Sequence, residues 1–373
     1  MSRSLNIHFF GSSLVSAYWN GAATYYRGLI KALHARGHRV TFCEPDAFGR
    51  QQHRDLPDPD WATVRVYDPT QHGQWQALLS EACAADVVIK ASGVGVLDAE
   101  LERGVLECRR AGNLVLFWDV DAPATLDRLD ADDHDPFHDL VPAYDLICTY
   151  GGGPPVVQAY AALDAKACVP VYNAVDPAEH FPVPPDPQFA VDMTLLANRL
   201  PDREARIDAF FFEAARRLPD RRFVLGGSGW EQPHVPPNVR CAGHVYTKDH
   251  NAFHASPTAA LSVNRKSMAA YGYSPATRIF EAAGAGACII SDAWEGIELF
   301  LEPGTEILVA EDGEWVAEHL ANLTPERAAQ IGQAALQRVR REHTYTQRAE
   351  QLETLLLARL ADKAVGKKQE VTA

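Results

Sequence analysis

The chain has 373 residues, of which 47% are hydrophobic and 23% charged, and its formal net charge is −14. A chain of this length usually folds as two domains, and its acidic balance disfavours a general nucleic-acid surface, which needs cations to displace phosphate counterions. Because it has no run of about 18 apolar residues and only a short apolar N-terminal stretch, we expect a cytoplasmic protein without a transmembrane segment or signal peptide.

Seven cysteines are scattered along the chain, at positions 43, 83, 108, 148, 168, 241 and 288. They show no C-x-x-C spacing, and several lie inside apolar segments. This pattern predicts buried free thiols in a reducing compartment. No spacing typical of zinc ligands is present, so the sequence predicts no metal site.

The first half of the chain alternates strands and helices. Strands are predicted at residues 5–10, 38–43, 86–91, 113–118, 145–149 and 168–172, and helices at 20–33, 99–111 and 155–163. Residues 45–74 are rich in Pro, Asp, His and Gln and are predicted as loop. Strand–helix alternation indicates a parallel sheet, and the continuous apolar strands indicate helices on both faces. We therefore expect a Rossmann-like domain over residues 1–172.

A proline-rich stretch at residues 173–187 is predicted as an interdomain linker. A second doubly wound domain follows over 188–345, with strands at 192–197, 222–226, 239–242, 259–263, 287–291 and 306–310 and helices at 203–217, 248–254, 275–285, 315–323 and 325–342. A last helix, 346–363, carries a leucine stripe that needs a surface to bury it. Residues 364–373 are expected to be a disordered tail.

The stretch from residue 274 to 306, SPATRIFEAAGAGACIISDAWEGIELFLEPGTE, carries the densest chemistry. Ser274 is expected to cap a helix, with Pro275 in its first turn. Arg278 and Glu281 are three residues apart and share one face of that helix. Such a face at the end of a buried strand suits a nucleotide, with the carboxylate on ribose hydroxyls and the guanidinium on phosphate.

This stretch resembles the donor-binding segment of GT-B glycosyltransferases of the "glycosyl transferases, group 1" kind. Its R-x-F-E-A…G-A…E…G-x-E pattern is most similar to the CgeB-like (spore maturation protein-like) branch. The run VYNAVDPAEHFP at 171–182 resembles the N-G-V-D…F-x-P interdomain segment of the same enzymes, with Ala174 in place of the usual Gly. The resemblance implies two facing Rossmann-like domains and a C-terminal helix that packs back towards the N-terminal domain.

The resemblance also implies transfer of a sugar from a nucleotide-diphosphate sugar to an acceptor, with retention of anomeric configuration and without a metal or other cofactor. Glu281 matches the family glutamate that holds the ribose. Many members carry a second glutamate eight residues earlier, near the donor sugar, and Tyr273 stands there in this chain.

Further candidates follow the predicted strands, where open α/β sheets bind ligands. The resemblance implies that Arg199, Arg203 and Arg278 neutralise the diphosphate and that Gly227, Gly229 and His244 border the nucleotide. It also implies that Asn264, Tyr273 and Ser274 contact the sugar or phosphates. In the first domain it implies that Asn20 and Gly21 form the acceptor and diphosphate loop. The alternatives are solvated arginines for the basic pair and a simple turn for the glycines.

Asp119 and Asp121 form a D-x-D sequence after a strong strand. Either is a candidate base for an inverting mechanism, and a helix-capping role is an equal alternative; a metal-binding D-x-D is disfavoured in a twofold α/β chain. Two other functions stay open: a catalytically degenerate scaffold that binds a nucleotide sugar or a partner, and a nucleotide-sugar 2-epimerase. A nicotinamide dehydrogenase is disfavoured because the G-x-G-x-x-G fingerprint is absent.

Overall fold

The computed structural model describes residues 3–230 and 235–371. These residues form two compact units. The first comprises the chain up to Tyr172 together with the segment from Tyr345 onwards, and the second comprises Asn173–Thr344. Each unit is an α/β structure built around one parallel sheet. Within the described ranges, no helix combines the length and the hydropathy needed to span a membrane.

The first unit contains a seven-stranded sheet in the order β3-β2-β1-β4-β5-β6-β7. All of its neighbouring strands are parallel. The strand order reverses between β1 and β4, which makes this edge the topological switch point of the sheet. The strands are β1 (Asn6–Phe10), β2 (Arg39–Pro45), β3 (Thr63–Tyr67), β4 (Val87–Ala91), β5 (Leu114–Asp119), β6 (Leu146–Thr149) and β7 (Cys168–Pro170).

Helices cover the sheet of the first unit, and its strands β4, β5 and β6 are buried along their whole length. Phe9 of β1 packs against Phe42 and Trp118 with ring centroids 5.4 and 5.8 Å apart. This burial explains the unbroken apolar runs in the sequence of β4 and β5. The helices are α1 (Ala23–Ala35), α2 (Gln74–Ala82), α3 (Asp98–Glu107), α4 (Ala122–Ala131), α5 (Phe137–Leu140) and α6 (Gly153–Ala162).

The prediction of a loop over residues 45–74 was wrong in part, because β3 lies within it. This strand pairs only with β2 at the edge of the sheet, and three of its five residues are exposed. Its alternation of polar and apolar residues is typical of an edge strand, and the Pro- and Asp-rich surroundings hid it. Helices α2 and α4 were also not predicted.

The second unit contains a six-stranded parallel sheet in the order β10-β9-β8-β11-β12-β13. Its strands are β8 (Met193–Leu196), β9 (Phe223–Gly226), β10 (Val239–Gly243), β11 (Ala259–Ser262), β12 (Ile289–Asp292) and β13 (Leu308–Ala310). Its helices are α7 (Pro201–Ile207), which continues through a π-helical turn (Asp208–Phe212) into α8 (Glu213–Arg217), α9 (His250–Ala255), α10 (Lys266–Tyr271), α11 (Thr277–Gly284), α12 (Gly313–Asn322) and α13 (Pro325–Glu342).

The proline-rich segment 173–187, predicted as a linker, belongs to the second unit. The Asn173 side chain donates a hydrogen bond to the Pro275 carbonyl at 3.0 Å, and the Val175 amide donates to the His343 carbonyl at 2.9 Å. These bonds tie the start of the segment to the entry of α11 and the end of α13.

The last helix, α14 (Tyr345–Val371), is part of the first unit. It packs on α1, where a Cβ on Gly28 would lie 2.1 Å from the Tyr345 ring. The buried Glu353 pairs with Arg36, and Lys363 donates to Asp145 at 2.7 Å. The helix extends past residue 363, where the tail was predicted to begin, and residues 372–373 of that tail lie outside the described residues.

The prediction of buried free thiols was wrong for one pair and for Cys241, which is exposed. Cys83 and Cys108 form a disulfide with their Cα atoms 4.4 Å apart. The two residues stand at the C-terminal ends of α2 and α3. Their proximity depends on how these helices pack, which the spacing of cysteines along the chain did not reveal.

Candidate functional site

The candidate donor residues of the second unit lie in the loops that follow β8, β9, β10, β11 and β12. In an open α/β sheet the carboxyl ends of the strands meet at one edge, where ligands bind. The helix α11, which carries Arg278 and Glu281, begins beyond this edge and leads into β12. The sequence-predicted residues of this unit are therefore grouped by the topology of a single sheet.

Glu281 is the most unusual polar group at this edge. Its side chain is buried, with 5% of the residue exposed. Its carboxylate has no hydrogen bond or ion pair with any residue that the structure describes. Such a carboxylate has little contact with solvent and no donor from the protein, so donors of a ligand would stabilise it. The side chain is thus prepared to accept hydrogen bonds from a ligand.

Two histidines lie beside Glu281. One ligand atom each from His180, His250 and Glu281 falls within 4.8 Å of the others. The His250 Nε2 atom lies 3.3 Å from the Val245 carbonyl, while its Nδ1 atom is buried without a partner in the described ranges. The carbonyl requires a proton on Nε2, which leaves a lone pair on Nδ1.

Two histidines of α9, His250 and His254, have pKa values lowered by burial, which favours their neutral form. Burial lowers the pKa of His250, and the Glu281 carboxylate opposes that shift only in part. Burial, with the nearby His250, His180 and Arg278, lowers the pKa of His254 well below its ordinary value.

Neutral imidazoles and a carboxylate are the donor set of many divalent cation sites, so His180, His250 and Glu281 could together hold one metal ion. The sequence predicted no metal ligand, because His180, His250 and Glu281 lie too far apart along the chain to form a recognisable spacing.

Ser274 does not cap α11, contrary to the prediction. The helix begins at Thr277 with Ala276 as its N-cap residue, and no side chain caps it. The Ser274 hydroxyl instead donates to the Gly272 carbonyl at 2.8 Å. The hydroxyl therefore stabilises the turn that precedes the helix, and Ser274 is 2% exposed within that turn.

Tyr273 adopts a left-handed backbone conformation, with φ at 47°. Its amide donates to the Glu295 carbonyl at 2.6 Å, and its hydroxyl donates to the Glu295 carboxylate at 3.0 Å. A left-handed conformation is rare for a bulky residue and persists only where the surroundings fix it. Tyr273 stands at the chain position where the family resemblance expects a glutamate. The loop after β12 places the Glu295 carboxylate directly against it.

Asn264 follows β11 and is held by its backbone and side chain. Its amide donates to Asp292 at 3.0 Å, and its Nδ2 donates to the Ser274 carbonyl at 3.2 Å. Its Oδ1 atom is buried without a partner in the part of the chain that the structure describes. That oxygen can accept a hydrogen bond from a ligand.

Arg206 completes this network and is not available for a phosphate. Its guanidinium donates to the Asn264 carbonyl at 2.9 Å and to Asp292 at 2.5 Å. Burial raises the pKa of Asp292, and the Asn264 amide and Arg206 oppose the shift. Arg206 therefore fixes the loop that carries Asn264.

The arginines predicted for a diphosphate are all partly accessible. Arg199 donates to Glu204 at 2.8 Å, and its side chain is 36% exposed. An exposed ion pair of this kind is weak and can exchange for a phosphate. Arg203 is half-buried in the first turn of α7, and Arg278 is half-buried one turn before Glu281 on α11.

The glycine loop after β9 is shaped by packing. Gly227 has φ at 121°, and a Cβ there would lie 2.1 Å from the Ala197 carbonyl oxygen. Its amide donates to the Gly243 carbonyl at 2.7 Å, and the Ser228 amide donates to Asn198 at 3.0 Å. These two amides are therefore engaged in hydrogen bonds of the protein itself, as in a turn that is fixed by its neighbours.

The other two residues predicted to border the nucleotide lie in neighbouring loops. A Cβ on Gly229, whose φ is 92°, would lie 3.0 Å from the Arg199 Cβ, so its lack of a side chain brings these loops together. His244 is exposed after β10, and its ring meets that of the exposed Tyr246 edge-on at 4.7 Å.

In the first unit, the predicted residues divide into structural and open positions. Asn20 is buried, donates to the Ser13 and Ser16 carbonyls at 2.8 and 3.0 Å, and accepts from Ser12 at 2.9 Å. It therefore holds its loop together and has no hydrogen-bonding capacity left on its amide nitrogen. Gly21 is exposed, and no atom of the described chain lies within 4 Å of the place that a Cβ on it would occupy.

Asp119 is wholly buried and accepts hydrogen bonds from Tyr160, Ser92 and Thr125 at 2.6, 2.7 and 3.0 Å. Burial raises its pKa, and these donors oppose the shift. Its geometry supports a structural role and disfavours the role of a base that meets an acceptor. Asp121, by contrast, is half-buried and is the N-cap residue of α4 by position, with no side-chain cap bond.

Comparisons with known proteins identify the fold. Residues 203–354 match the family model described as glycosyl transferase-like. No curated protein sequence matches the chain. Sucrose-phosphate synthase from Thermosynechococcus elongatus has a similar structure, with a TM-score of 0.70 at 15% identity over 96% of this chain and 100% of that one.

HepE from Anabaena, solved in complex with UDP-glucose, has a TM-score of 0.68 at 12% identity over 95% of this chain and 100% of that one. AviGT4, a glycosyltransferase involved in avilamycin A biosynthesis, has a TM-score of 0.60 at 16% identity over 96% and 98% of the two chains. The chain therefore has the GT-B fold, as the family resemblance implied.

Proposed function

We propose that this protein is a glycosyltransferase that transfers a sugar from a nucleotide-diphosphate sugar to an acceptor hydroxyl. One observation carries the proposal. A buried carboxylate without a donor among the described residues, Glu281, lies on α11 at the ligand-binding edge of the second sheet, within the residues that match the glycosyl transferase-like model. A pair of ribose hydroxyls supplies the donors that this carboxylate lacks.

The other groups at this edge have complementary roles in the proposal. Arg199, Arg203 and Arg278 neutralise the diphosphate, and Arg199 exchanges its surface pair with Glu204 for a phosphate oxygen. The Oδ1 atom of Asn264, which has no partner among the described residues, accepts a hydrogen bond from a sugar hydroxyl. The Tyr273–Glu295 pair supplies the carboxylate that the family glutamate would otherwise bring to the sugar.

The proposed step breaks the bond between the anomeric carbon and the diphosphate oxygen and forms a bond from that carbon to the acceptor oxygen. The acceptor proton passes to the departing diphosphate, so no protein base is required. Positive charge beside the leaving group lowers the barrier because negative charge develops there. We propose that the anomeric configuration is retained, that the donated group is a hexose, and that no metal ion takes part.

UDP is the first nucleotide to test, since HepE was solved with UDP-glucose. An E. coli structure described as trehalose-6-phosphate holds UDP-2-fluoro glucose, with a TM-score of 0.65 at 11% identity over 94% of this chain and 98% of that one. The CgeB-like branch and a cytoplasmic location are further proposals. The Cys83–Cys108 disulfide is an observation against that location, because disulfides persist in oxidising compartments.

A catalytically degenerate scaffold is the second candidate function. Two observations favour it: Arg199 is paired within its own loop and helix, and Tyr273 stands where the family has a glutamate. Such a protein would bind a nucleotide sugar and transfer nothing. A 2-epimerase, which needs no acceptor, would convert the nucleotide sugar alone.

The test is a product assay. The protein is incubated with UDP-, GDP-, ADP-, dTDP- and CDP-sugars with and without an acceptor mixture, and released nucleotide and new glycosides are measured by mass spectrometry. We expect nucleotide release from one donor and its loss in Glu281→Gln, but not in Glu318→Gln, an exposed control on α12. Binding without release supports the degenerate scaffold, and an altered sugar without an acceptor supports the epimerase.

A further inference from the structure

A cavity lined by aromatic side chains opens in the first unit, and none of the residues proposed for the donor lines it. Its volume is about 420 Å³, and Tyr18, Trp19, Phe48, Arg50 and the segment 93–95 line it. Cavities of roughly 300–1,000 Å³ lined by aromatic groups and a few polar ones are typical of small-molecule sites. The lining comes from the loops after β1, β2 and β4, so the cavity lies at the topological switch point of the first sheet.

Two of the aromatic residues are held in a strained conformation. Trp19 has φ at 48° and Phe48 has φ at 57°, both in the left-handed region that bulky residues avoid. These residues are 45% and 54% exposed, so apolar burial does not account for the strain. Strained residues persist where the surroundings fix them, and they cluster at ligand sites. The backbone here presents two aromatic rings to the solvent.

Arg50 brings a buried positive charge to the same cavity. It is 7% exposed, and its guanidinium lies 5.0 Å from the Phe48 ring centroid. Among the described residues, the guanidinium has one hydrogen bond, to the Ser12 carbonyl at 3.3 Å, and its Nε atom is buried without a partner. No carboxylate of the described chain pairs with it. A buried, unpaired cation is costly unless an anion compensates it.

One buried carboxylate whose charge acts on Arg50 is already hydrogen-bonded to other groups. Glu44 is wholly buried and accepts hydrogen bonds from Ser13 at 2.8 Å, from the Leu14 amide at 2.6 Å and from Gln51 at 2.6 Å. It acts on Arg50 only at a distance. The charge of Arg50 therefore remains available to a ligand.

The walls of the cavity are preformed. The Tyr18 ring stacks on His53 with centroids 4.0 Å apart, and the Ser16 hydroxyl donates to the His53 carbonyl at 2.8 Å. The Asp55 amide donates to the Val15 carbonyl at 3.1 Å, which joins the loop after β1 to the segment that follows Arg50. A fixed cavity loses little conformational entropy when a ligand binds.

We infer that this cavity binds the acceptor, and that the acceptor combines a ring with an apolar face and one anionic substituent, a carboxylate or a phosphate. The ring stacks on Trp19 and Phe48, and the anionic group pairs with Arg50. Calling this ligand the acceptor rests on the proposed function. The ligand can bind to the cavity whether or not a nucleotide sugar is present. A phosphorylated sugar and an aromatic acid both meet this description.

The test measures binding to the full-length protein by calorimetry in the absence of nucleotide. Two matched pairs of probes are used, glucose 6-phosphate with glucose and 4-hydroxybenzoate with phenol. We expect one anionic probe to bind at least tenfold more tightly than its neutral match, and the pair that shows this identifies the source of the ring. Arg50→Gln and Trp19→Ala should each weaken that binding at least tenfold, and Arg54→Gln, an exposed control paired with Asp58, should not.

Thermal unfolding verifies that each variant is folded, and the exposed position of Trp19 keeps the test valid if Arg50→Gln does not fold. Equal binding of charged and neutral probes, undiminished binding in Trp19→Ala, or no binding of any probe would overturn the inference. UDP binding is measured in parallel. Probe binding without any nucleotide binding would refute the proposed function and leave the anion site standing, and the reverse result would refute the site alone.

Discussion

Replacing Gly227 with alanine should lower the stability of the second unit by more than the cost of placing alanine in the backbone conformation of Gly227. Gly227 follows β9 with φ at 121°, and a Cβ there would lie 2.1 Å from the Ala197 carbonyl oxygen and 2.5 Å from its carbon. Both atoms belong to the backbone, so no side-chain rotation relieves the contact. The loop after β8 must move, or the alanine must adopt another conformation.

The cost has two parts. A left-handed or similar backbone conformation costs a non-glycine residue roughly 1–2 kcal/mol, and overpacking against fixed atoms adds about 1–3 kcal/mol. Gly243 offers a matched control, because its φ is 69° and nothing in the described chain lies within 4 Å of a Cβ there. Gly243→Ala should therefore lose only the first part, about 1–2 kcal/mol, whereas Gly227→Ala should lose about 2–5 kcal/mol.

Urea unfolding of the two variants and the parent protein measures these losses. Gly227→Ala should also weaken nucleotide binding, because the displaced loop continues into Arg199, a proposed diphosphate ligand. Gly243→Ala should leave nucleotide affinity within about twofold of the parent value, because its Cβ displaces no neighbouring loop. The reasoning is refuted if both variants lose the same stability, since the contact with Ala197 would then have no energetic consequence.

Three further predictions concern the same unit. Asp292→Asn should cost about 3–5 kcal/mol in urea unfolding, because it leaves Arg206 partly buried without its counter-charge, and the double change with Arg206→Met should recover part of that loss; an unchanged midpoint in the single variant would contradict this. His254 is neutral in the native state because burial lowers its pKa well below 6.5, so stability is full above pH 6.5 and falls by about 1.4 kcal/mol per pH unit below it, as the unfolded chain takes up the proton. His254→Phe should flatten this fall as the pH drops below about 6.5, and an unaltered pH profile would be inconsistent with it. Treatment with EDTA should leave nucleotide-induced stabilisation intact; stabilisation that returns only with zinc and is lost in His250→Ala would instead assign the His180–His250–Glu281 cluster to a metal.

Much of the fold could be predicted from local patterns. The unbroken apolar runs of β4 and β5 reflect strands that are covered on both faces. The helix Pro325–Glu342 shows the helical period in its sequence, and the Thr324 side chain caps it by accepting a hydrogen bond from the Arg327 amide. Both signals are local, because burial on both faces or on one stripe determines residue type at short spacing. The edge strand β3 gave a weaker signal because most of its residues face solvent.

The site was predicted in its residue types and only partly in its contacts. Glu281 was assigned correctly to a helix, but nothing in its surroundings along the chain indicated that His180 and His250 would lie beside it. Arg206 stands one turn beyond the predicted basic pair, and it pairs with Asp292. The positions of these side chains depend on contacts between residues that are distant in sequence. Local sequence patterns carry no information on which distant residues will be in contact.

The same limit explains the first unit. Arg50 lies in a segment predicted as loop, where a charged residue is ordinarily assumed to be solvated. Arg50 contacts Ser12 in the loop after β1 and lines a cavity with residues 93–95 after β4, both distant in sequence. The strained backbone of Trp19 and Phe48 has no sequence signal of its own. Left-handed conformation is predictable only where glycine or asparagine favours it.

The most direct test of the account is thermal unfolding with UDP, GDP, ADP, dTDP and CDP, each with and without EDTA, on the parent protein, Glu281→Gln and Glu318→Gln. A ligand at 100 times its Kd stabilises the native state by about 2.7 kcal/mol. We predict that one nucleotide raises the Tm by several degrees in the parent protein and in Glu318→Gln, with or without EDTA, and that Glu281→Gln loses this shift. An equal shift in Glu281→Gln, or no shift with any nucleotide in the parent protein, would contradict the assignment of Glu281 as the ribose ligand and with it the proposed donor site.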